Sequence, residues 1–182
     1  FINPNREIPE FIQRLTNISP NQVSNAPQFS SVSDELRTFV SNHPIIGHNI
    51  QFDLKFLDTH GLALINQTYD TWDLASIFLP HSPEYSLGYL TKYLSVGHEN
   101  PHRALDDADA TRAVFLQLIK SASDTDPGLL SYIISLTQKS QWGLSSLFNT
   151  LLNTQTHSTQ TSTFGLNGLN LDYLSTRIGR PE

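Results

Sequence analysis

The sequence predicts an α/β domain, in which helices cover a sheet. Three observations lead to this class. Short apolar segments such as 45–46 have the length of buried strands, and stretches with helical spacing of apolar residues follow them. Residues that favour turns and helix caps separate these segments. Strands that alternate with helices are typical of a sheet with helices packed on its faces.

The individual elements follow in order along the chain. Residues 1–7 are predicted to be the end of a strand that enters a turn, and 68–71 a second short strand after the one at 45–46. The helices predicted from apolar spacing are one after Pro9, one over 32–41, one from Asn49 to Gly61, one through Leu74 and Phe78, one capped by Ser86, one over 104–119 and one over 129–136. The residues expected on the inner faces of the first two helices are Phe11, Ile12, Leu15, Leu36, Phe39 and Val40.

Composition limits the classes of function. The chain has 182 residues, a net charge of −6 and no cysteine, which excludes disulfides and thiolate metal sites but leaves oxygen-ligated Mg²⁺ or Mn²⁺. The acidic balance argues against a basic face that coats duplex DNA. No stretch has the length of a membrane span and no signal peptide is visible, so we expect a cytoplasmic protein without a membrane partner.

The segment 44–57 joins the strand at 45–46 to a helix and contains the first candidate site residue. Ile50, Asp53 and Leu57 have helical spacing, so they share one face of that helix. A carboxylate on an apolar face is costly unless a positive group meets it. Asp53 is therefore predicted to meet a metal ion or a buried basic side chain.

A second carboxylate with the same character lies on the helix over 104–119. Asp107 shares a face with Thr111 and Leu118, and His102 precedes it by five positions. Two helix starts thus each place a buried-face aspartate near a histidine. Carboxylates from different helices that hold divalent ions, with a histidine as proton acceptor, are typical of metal-dependent phosphodiester hydrolases.

These residues also carry a resemblance. The sequence His48-Asn49-x-x-Phe52-Asp53 resembles the second exonuclease motif of the DnaQ-like DEDDh family. The segment 102–108 resembles the third motif, in which a histidine precedes the last metal-binding aspartate by five positions. The similarity extends over roughly residues 1–120.

The resemblance implies a ribonuclease-H-like α/β fold and stepwise 3′→5′ hydrolysis from the 3′ end of single-stranded DNA or RNA, with release of nucleoside monophosphates. It implies two divalent ions, Mg²⁺ or Mn²⁺, with Asp53 and Asp107 as ligands and His102 as general base. The residues that would contact the terminal nucleotide are His48, Asn49 and Phe52.

The family's first motif, Asp-x-Glu on the first strand, is absent from the sequence. We therefore expect an N-terminally truncated fold that lacks the first strands, and no activity from this chain alone. The absence of methionine and the start at Phe1 agree with a fragment. The resemblance is greatest to exonuclease domains fused to DinG-type helicases, and a polymerase proofreading subunit is the other candidate. Either would be part of a DNA repair or replication protein, with a helicase or polymerase module as partner.

We divide the chain into an exonuclease domain over 1–122, a helical extension over 123–150, and a polar linker with the start of a further segment over 151–182.

Two functions stay open, namely an active exonuclease and a non-catalytic nucleic-acid-binding or interaction module of the same fold. At the level of residues, Asp53 could instead pair with a basic side chain, His48 could bond backbone groups, Asn49 could only cap, and Phe52 could belong to the core. His98 and four other histidines are expected at the surface.

Overall fold

The computed structural model describes residues 1–99, 101–137 and 142–156. The helices are α1 (Glu10–Thr16), α2 (Pro20–Val23), α3 (Phe29–Val40), α4 (Ile50–Thr59), α5 (Thr71–Phe78), α6 (Leu87–Tyr93), α7 (Ala104–Ser123), α8 (Pro127–Thr137) and α9 (Leu144–Thr156), and the strands are β1 (Ile45–Gly47) and β2 (Thr68–Asp70). No helix in this described part is long and apolar enough to cross a membrane.

The two strands pair in parallel, with Ile45 opposite Thr68 and Gly47 opposite Asp70. Helix α4 connects β1 to β2, as parallel pairing requires, and α5 follows β2 directly. The predicted α/β class is therefore confirmed. Because the strands are parallel and in register, their carboxyl ends lie side by side, and the residues that follow each strand meet there.

Local signals set two of the helix ends. The side-chain oxygen of Ser86 accepts a hydrogen bond from the N–H of Tyr89 at the start of α6. Gly61 has φ +86°, in the left-handed region that glycine tolerates, and donates to the carbonyl of Asp58 where α4 ends. Both predicted signals, Ser86 as a cap and Gly61 as a stop, are confirmed.

The core lies between the helices α5 to α9. The buried apolar residues that form it come from α5 to α9 and include Leu74, Ile77, Leu90, Val114, Leu118, Leu130, Ile133 and Phe148. Helices α8 and α9, which fall in the predicted extension, thus share one core with α5 and α7. Helix α9 continues through 151–156, at the start of the predicted linker, whereas residues 157–182, with the rest of the linker and the start of the further segment, lie outside the described residues.

The segment before α9 is anchored beside β2. The indole N–H of Trp142 donates to the Asp73 carboxylate at 3.0 Å, and the Gln67 amide donates to the carbonyl of Gly143 at 3.0 Å. A Cβ on Gly143 would collide with the backbone oxygen of Thr68. The close approach of the two backbones therefore requires glycine at this position.

The predicted inner faces of α1 and α3 are wrong in part. Phe11 is 63% exposed, Leu15 47% and Phe39 83%, whereas Ile12 and Leu36 are half-buried. Among the described elements, none packs extensively on α1 or α3. Helical spacing shows which residues share a face, but it cannot show whether another element covers that face.

Candidate active site

The first junction is the turn from β1 into α4. Its backbone is held by the carboxylate of Asp70, which accepts hydrogen bonds from the N–H groups of Asn49 at 2.9 Å, Ile50 at 3.0 Å and Trp72 at 2.9 Å. Asp70 thus caps α5 and also the start of α4, where Asn49 itself makes no side-chain cap. The capping role predicted for the Asn49 side chain is wrong, because its φ of +57° leaves the cap to a residue from the neighbouring strand.

His48 is fixed within this junction. Its Nδ1 lies 2.9 Å from the hydroxyl of Thr71, and that hydroxyl donates to the carbonyl of Gly47 at 3.1 Å. The Thr71 hydroxyl therefore links the His48 ring to the backbone of Gly47. Burial lowers the pKa of His48, and the charge of Asp70 and a backbone hydrogen bond with Tyr85 oppose that shift. The neutral ring is therefore the favoured form.

Asp53 lies in the first turn of α4. Burial of its carboxyl group raises the pKa of Asp53, its own backbone N–H lowers it, and the negative charge of Asp70 raises it further. The residue as a whole is exposed, but its carboxyl group is partly buried against the protein. Such a carboxylate gains most from a nearby cation.

The second junction is the segment 97–104 that leads into α7. His102 is exposed and has φ +70°, which is uncommon for a residue other than glycine, and its backbone N–H donates to Asp107 Oδ1 at 3.2 Å. The ring Nε2 of His98 lies 2.7 Å from the same oxygen, and the His98 side chain is only 9% exposed. The expectation that His98 is a surface residue is wrong, because its ring packs against Asp107 of α7.

One cavity of about 720 Å³ joins the two junctions. The site residues predicted from the sequence that line it are His48, Asp53, His102 and Asp107. Three other lining residues, Gly47, His98 and Arg112, did not stand out in the sequence. The other two predicted residues, Asn49 and Phe52, are not part of the lining. Both are exposed, Phe52 to 72%, so the alternative that Phe52 is a core residue is wrong.

The donor chemistry of the cavity fits part of a divalent-cation site. Asp53 and Asp107 offer carboxylate oxygens from two different helices, which are the ligands that Mg²⁺ and Mn²⁺ prefer. Within the described residues, no group of three or more acidic, histidine or cysteine side chains is close enough together to hold a metal ion. Asp53 and Asp107 are therefore candidate ligands that need further donors.

An α/β domain that gathers carboxylates and histidines from separate helices around one cavity has the architecture expected of a metal-dependent nuclease. A family model described as exonuclease, of the RNase T type, matches residues 1–115, which is more than half of the chain. The chain belongs to this exonuclease family, and the predicted membership is confirmed. Exonucleases of this kind generally depend on divalent metal ions.

Named relatives agree with this assignment. The 3′-5′ exonuclease DinG of Bacillus subtilis is 32% identical over 163 residues, which cover 87% of this chain and 18% of that protein. A PolC-type DNA polymerase III of Clostridium perfringens is 35% identical over 118 residues, or 63% of this chain and 8% of the polymerase. The 3′-5′ exonuclease DinG of Staphylococcus aureus is 28% identical over 152 residues, or 81% of this chain and 17% of that protein. The chain thus spans less than a fifth of the length of each.

Proposed function

We propose that this chain is the exonuclease part of a DNA repair or replication protein that shortens single-stranded nucleic acid from its 3′ end and releases nucleoside monophosphates. The observation that carries the proposal is the shared cavity, which brings together Asp53, Asp107 and His102 from two separate junctions. Membership of the exonuclease family supports the reaction class. The name of the Bacillus relative supports the 3′→5′ direction, and the name of the Clostridium relative supports a polymerase module as partner. A helicase module is the other partner that we propose, because the sequence resembles exonuclease domains fused to DinG-type helicases.

Asp53 and Asp107 would hold the divalent cations, two ions of Mg²⁺ or Mn²⁺, together with further oxygen donors. When bound, such ions stabilise the attacking and leaving oxygens of a phosphodiester hydrolysis. His102 would accept the proton of the attacking water, because its ring is exposed at the cavity and its backbone is tied to Asp107. The metal ligands, Asp53 and Asp107, and the proton acceptor, His102, are thus different side chains.

The substrate contacts that we propose lie mainly on the first junction. His48 lines the cavity with a ring whose Nδ1 is hydrogen-bonded to the Thr71 hydroxyl. Phe52, one turn into α4, exposes an aromatic face on which a terminal base can stack, and the Asn49 side chain offers an amide beside it. Arg112 of α7 also lines the cavity and supplies a positive charge for a phosphate.

The test uses the full-length protein that contains this chain and a single-stranded oligonucleotide labelled at its 5′ end. Asp53→Asn and Asp107→Asn should each lower the Mn²⁺-dependent rate by about 10²-fold or more, because each removes a charged ligand. Asp58→Asn is the matched control, since Asp58 is exposed on the same helix as Asp53 and does not line the cavity. The ladder of products should shorten from the 3′ end.

Two results would overturn the proposal. Full activity of both aspartate variants would show that the cavity is not the active site. Binding of the oligonucleotide without any cleavage by the unmodified protein in Mn²⁺ would favour the alternative, a nucleic-acid-binding module of the same fold.

A further inference from the structure

The contact between His98 and Asp107 has no role in the function proposed so far. The His98 ring is nine-tenths buried beside the cavity, and its Nε2 lies 2.7 Å from Asp107 Oδ1. A carboxylate can only accept hydrogen bonds, so Nε2 carries the proton and donates it. A short hydrogen bond to a charged acceptor is among the stronger side-chain contacts in proteins.

The same carboxylate oxygen also accepts the backbone N–H of His102 at 3.2 Å. Neither of these two described hydrogen bonds uses the other oxygen, Oδ2. Because both donors bind Oδ1, rotation of the carboxyl group about the Cβ–Cγ bond of Asp107 is restricted. They therefore leave Oδ2 as the oxygen of Asp107 that is available to a ligand.

We infer that His98 is a positioning residue that orients Asp107 for a divalent cation by holding Oδ1 and leaving Oδ2 as the ligand atom. The inference rests on the proposed function, in which Asp107 is a metal ligand. Hydrogen-bond partners of ligating carboxylates set their orientation, and loss of such a partner typically costs about 10–100-fold in metal affinity or activity. His98 acts through Asp107 and does not accept the substrate proton, because its Nε2 is already engaged and its ring is buried.

The chain allows a sharp pair of variants at this position. In His98→Gln the side-chain amide nitrogen lies near the place of the histidine Nε2, so a donor to Oδ1 is kept. In His98→Asn the amide nitrogen lies near the place of Nδ1 and falls short of Asp107. The Gln and Asn side chains carry the same amide group, so a difference in Mn²⁺ binding between the two variants reflects only whether the amide nitrogen reaches Asp107. His98→Ala removes the donor entirely.

The experiment titrates Mn²⁺ into the full-length protein without substrate and follows the free ion by electron paramagnetic resonance. We expect His98→Asn and His98→Ala to weaken the tightest Mn²⁺ binding by about 10–100-fold, and His98→Gln to stay within about threefold of the unmodified protein. In activity assays, the Mn²⁺ concentration for half-maximal rate should rise in parallel. A thermal unfolding curve for each metal-free variant identifies any that fails to fold.

The outcomes separate this inference from the proposed function. If Asp107→Asn weakens Mn²⁺ binding but His98→Asn does not, Asp107 is a ligand and the positioning role of His98 is wrong. If Asp107→Asn itself leaves Mn²⁺ binding unchanged, the proposed metal site fails. If His98→Gln loses as much affinity as His98→Asn, the effect is not that of the donor, and the inference is overturned. Should His98→Ala fail to fold, the Gln and Asn variants decide.

Discussion

The two junctions that face the cavity are built in different ways. The first is held by a residue from elsewhere in the sheet, since the Asp70 carboxylate caps both α4 and α5 across the strand pair. The second is held by contacts within the segment 98–107, where His98 and the backbone of His102 meet Asp107. The first junction is therefore part of the sheet, and the second is a local loop closed on the helix that it precedes.

This difference suggests how the site divides its tasks. The ring of His48 is held by Thr71 in a fixed, neutral state, which suits a residue that orients a substrate. The ring of His102 is exposed at the cavity on a backbone with positive φ, so an attacking water can reach it. We thus expect positioning from the first junction and proton transfer from the second.

The largest expected effect tests this division. His102→Ala should lower kcat by about 10²–10⁴-fold at neutral pH, the usual size of a general-base contribution, with a small change in KM. His48→Ala should act mainly on KM, because a positioned substrate contact is lost while the proton acceptor remains. Steady-state kinetics of both variants at saturating Mn²⁺ make the comparison.

An opposite outcome would break the comparison. If His48→Ala lowered kcat as strongly as His102→Ala with KM unchanged, the proton acceptor would lie on the first junction. The ring of His43, exposed and outside the cavity lining, provides the control, since His43→Ala should leave both constants unchanged.

The next effect concerns stability. Hydrogen bonds to charged groups contribute roughly 1.5–3 kcal/mol each and do not add fully, so Asp70→Ala should lower the free energy of unfolding by about 2–4 kcal/mol. Asp107→Ala should cost about 1–2 kcal/mol, because it removes two hydrogen bonds instead of three, and one of the two donors, the backbone N–H of His102, belongs to an exposed residue. Urea unfolding of the two variants measures the difference, and equal losses would show that the two junctions are held alike.

The smallest expected effect is on the pH dependence of stability. The folded pKa of His48 is lowered, so between that value and the ordinary 6.5 the unfolded chain binds more protons than the folded one. The contribution of His48 is thus fully present above pH 6.5 and is lost as the pH falls through the folded pKa. His48→Gln should flatten this acid slope, and its stability difference from the unmodified protein should be constant between pH 7.5 and 8.5. If stability falls with decreasing pH as steeply in His48→Gln as in the unmodified protein, His48 is not buried in its neutral form.

Much of the molecule follows from local sequence. The spacing of apolar residues predicts α4 and α7 because helical neighbours lie within three or four positions of one another. Ser86 and Gly61 predict helix ends because their effect is confined to the nearest backbone groups. The two motifs could be recognised for the same reason, since each lies within a single short segment.

Tertiary structure decided which residues meet. Asp70 ends β2 and directly precedes α5, and its side chain caps α5. Its second role at α4 depends on the strand register that places Gly47 opposite Asp70. His98 carries no helical period with Asp107, and only the path of the loop brings the two together. Contacts of this kind depend on segments that are remote in sequence or irregular in backbone, so no local pattern encodes them.

The burial of apolar side chains likewise cannot be predicted from local sequence patterns alone. Phe39 and Phe148 both occupy apolar positions of amphipathic helices, yet Phe39 is 83% exposed and Phe148 fully buried. The spacing of apolar residues placed Phe39 on the inner face of its helix, as the sequence analysis expects. Only the tertiary structure decided whether that face is covered, because burial needs a second surface. Helix α8 packs on α9 and helps to bury Phe148, whereas no described element packs extensively on α3.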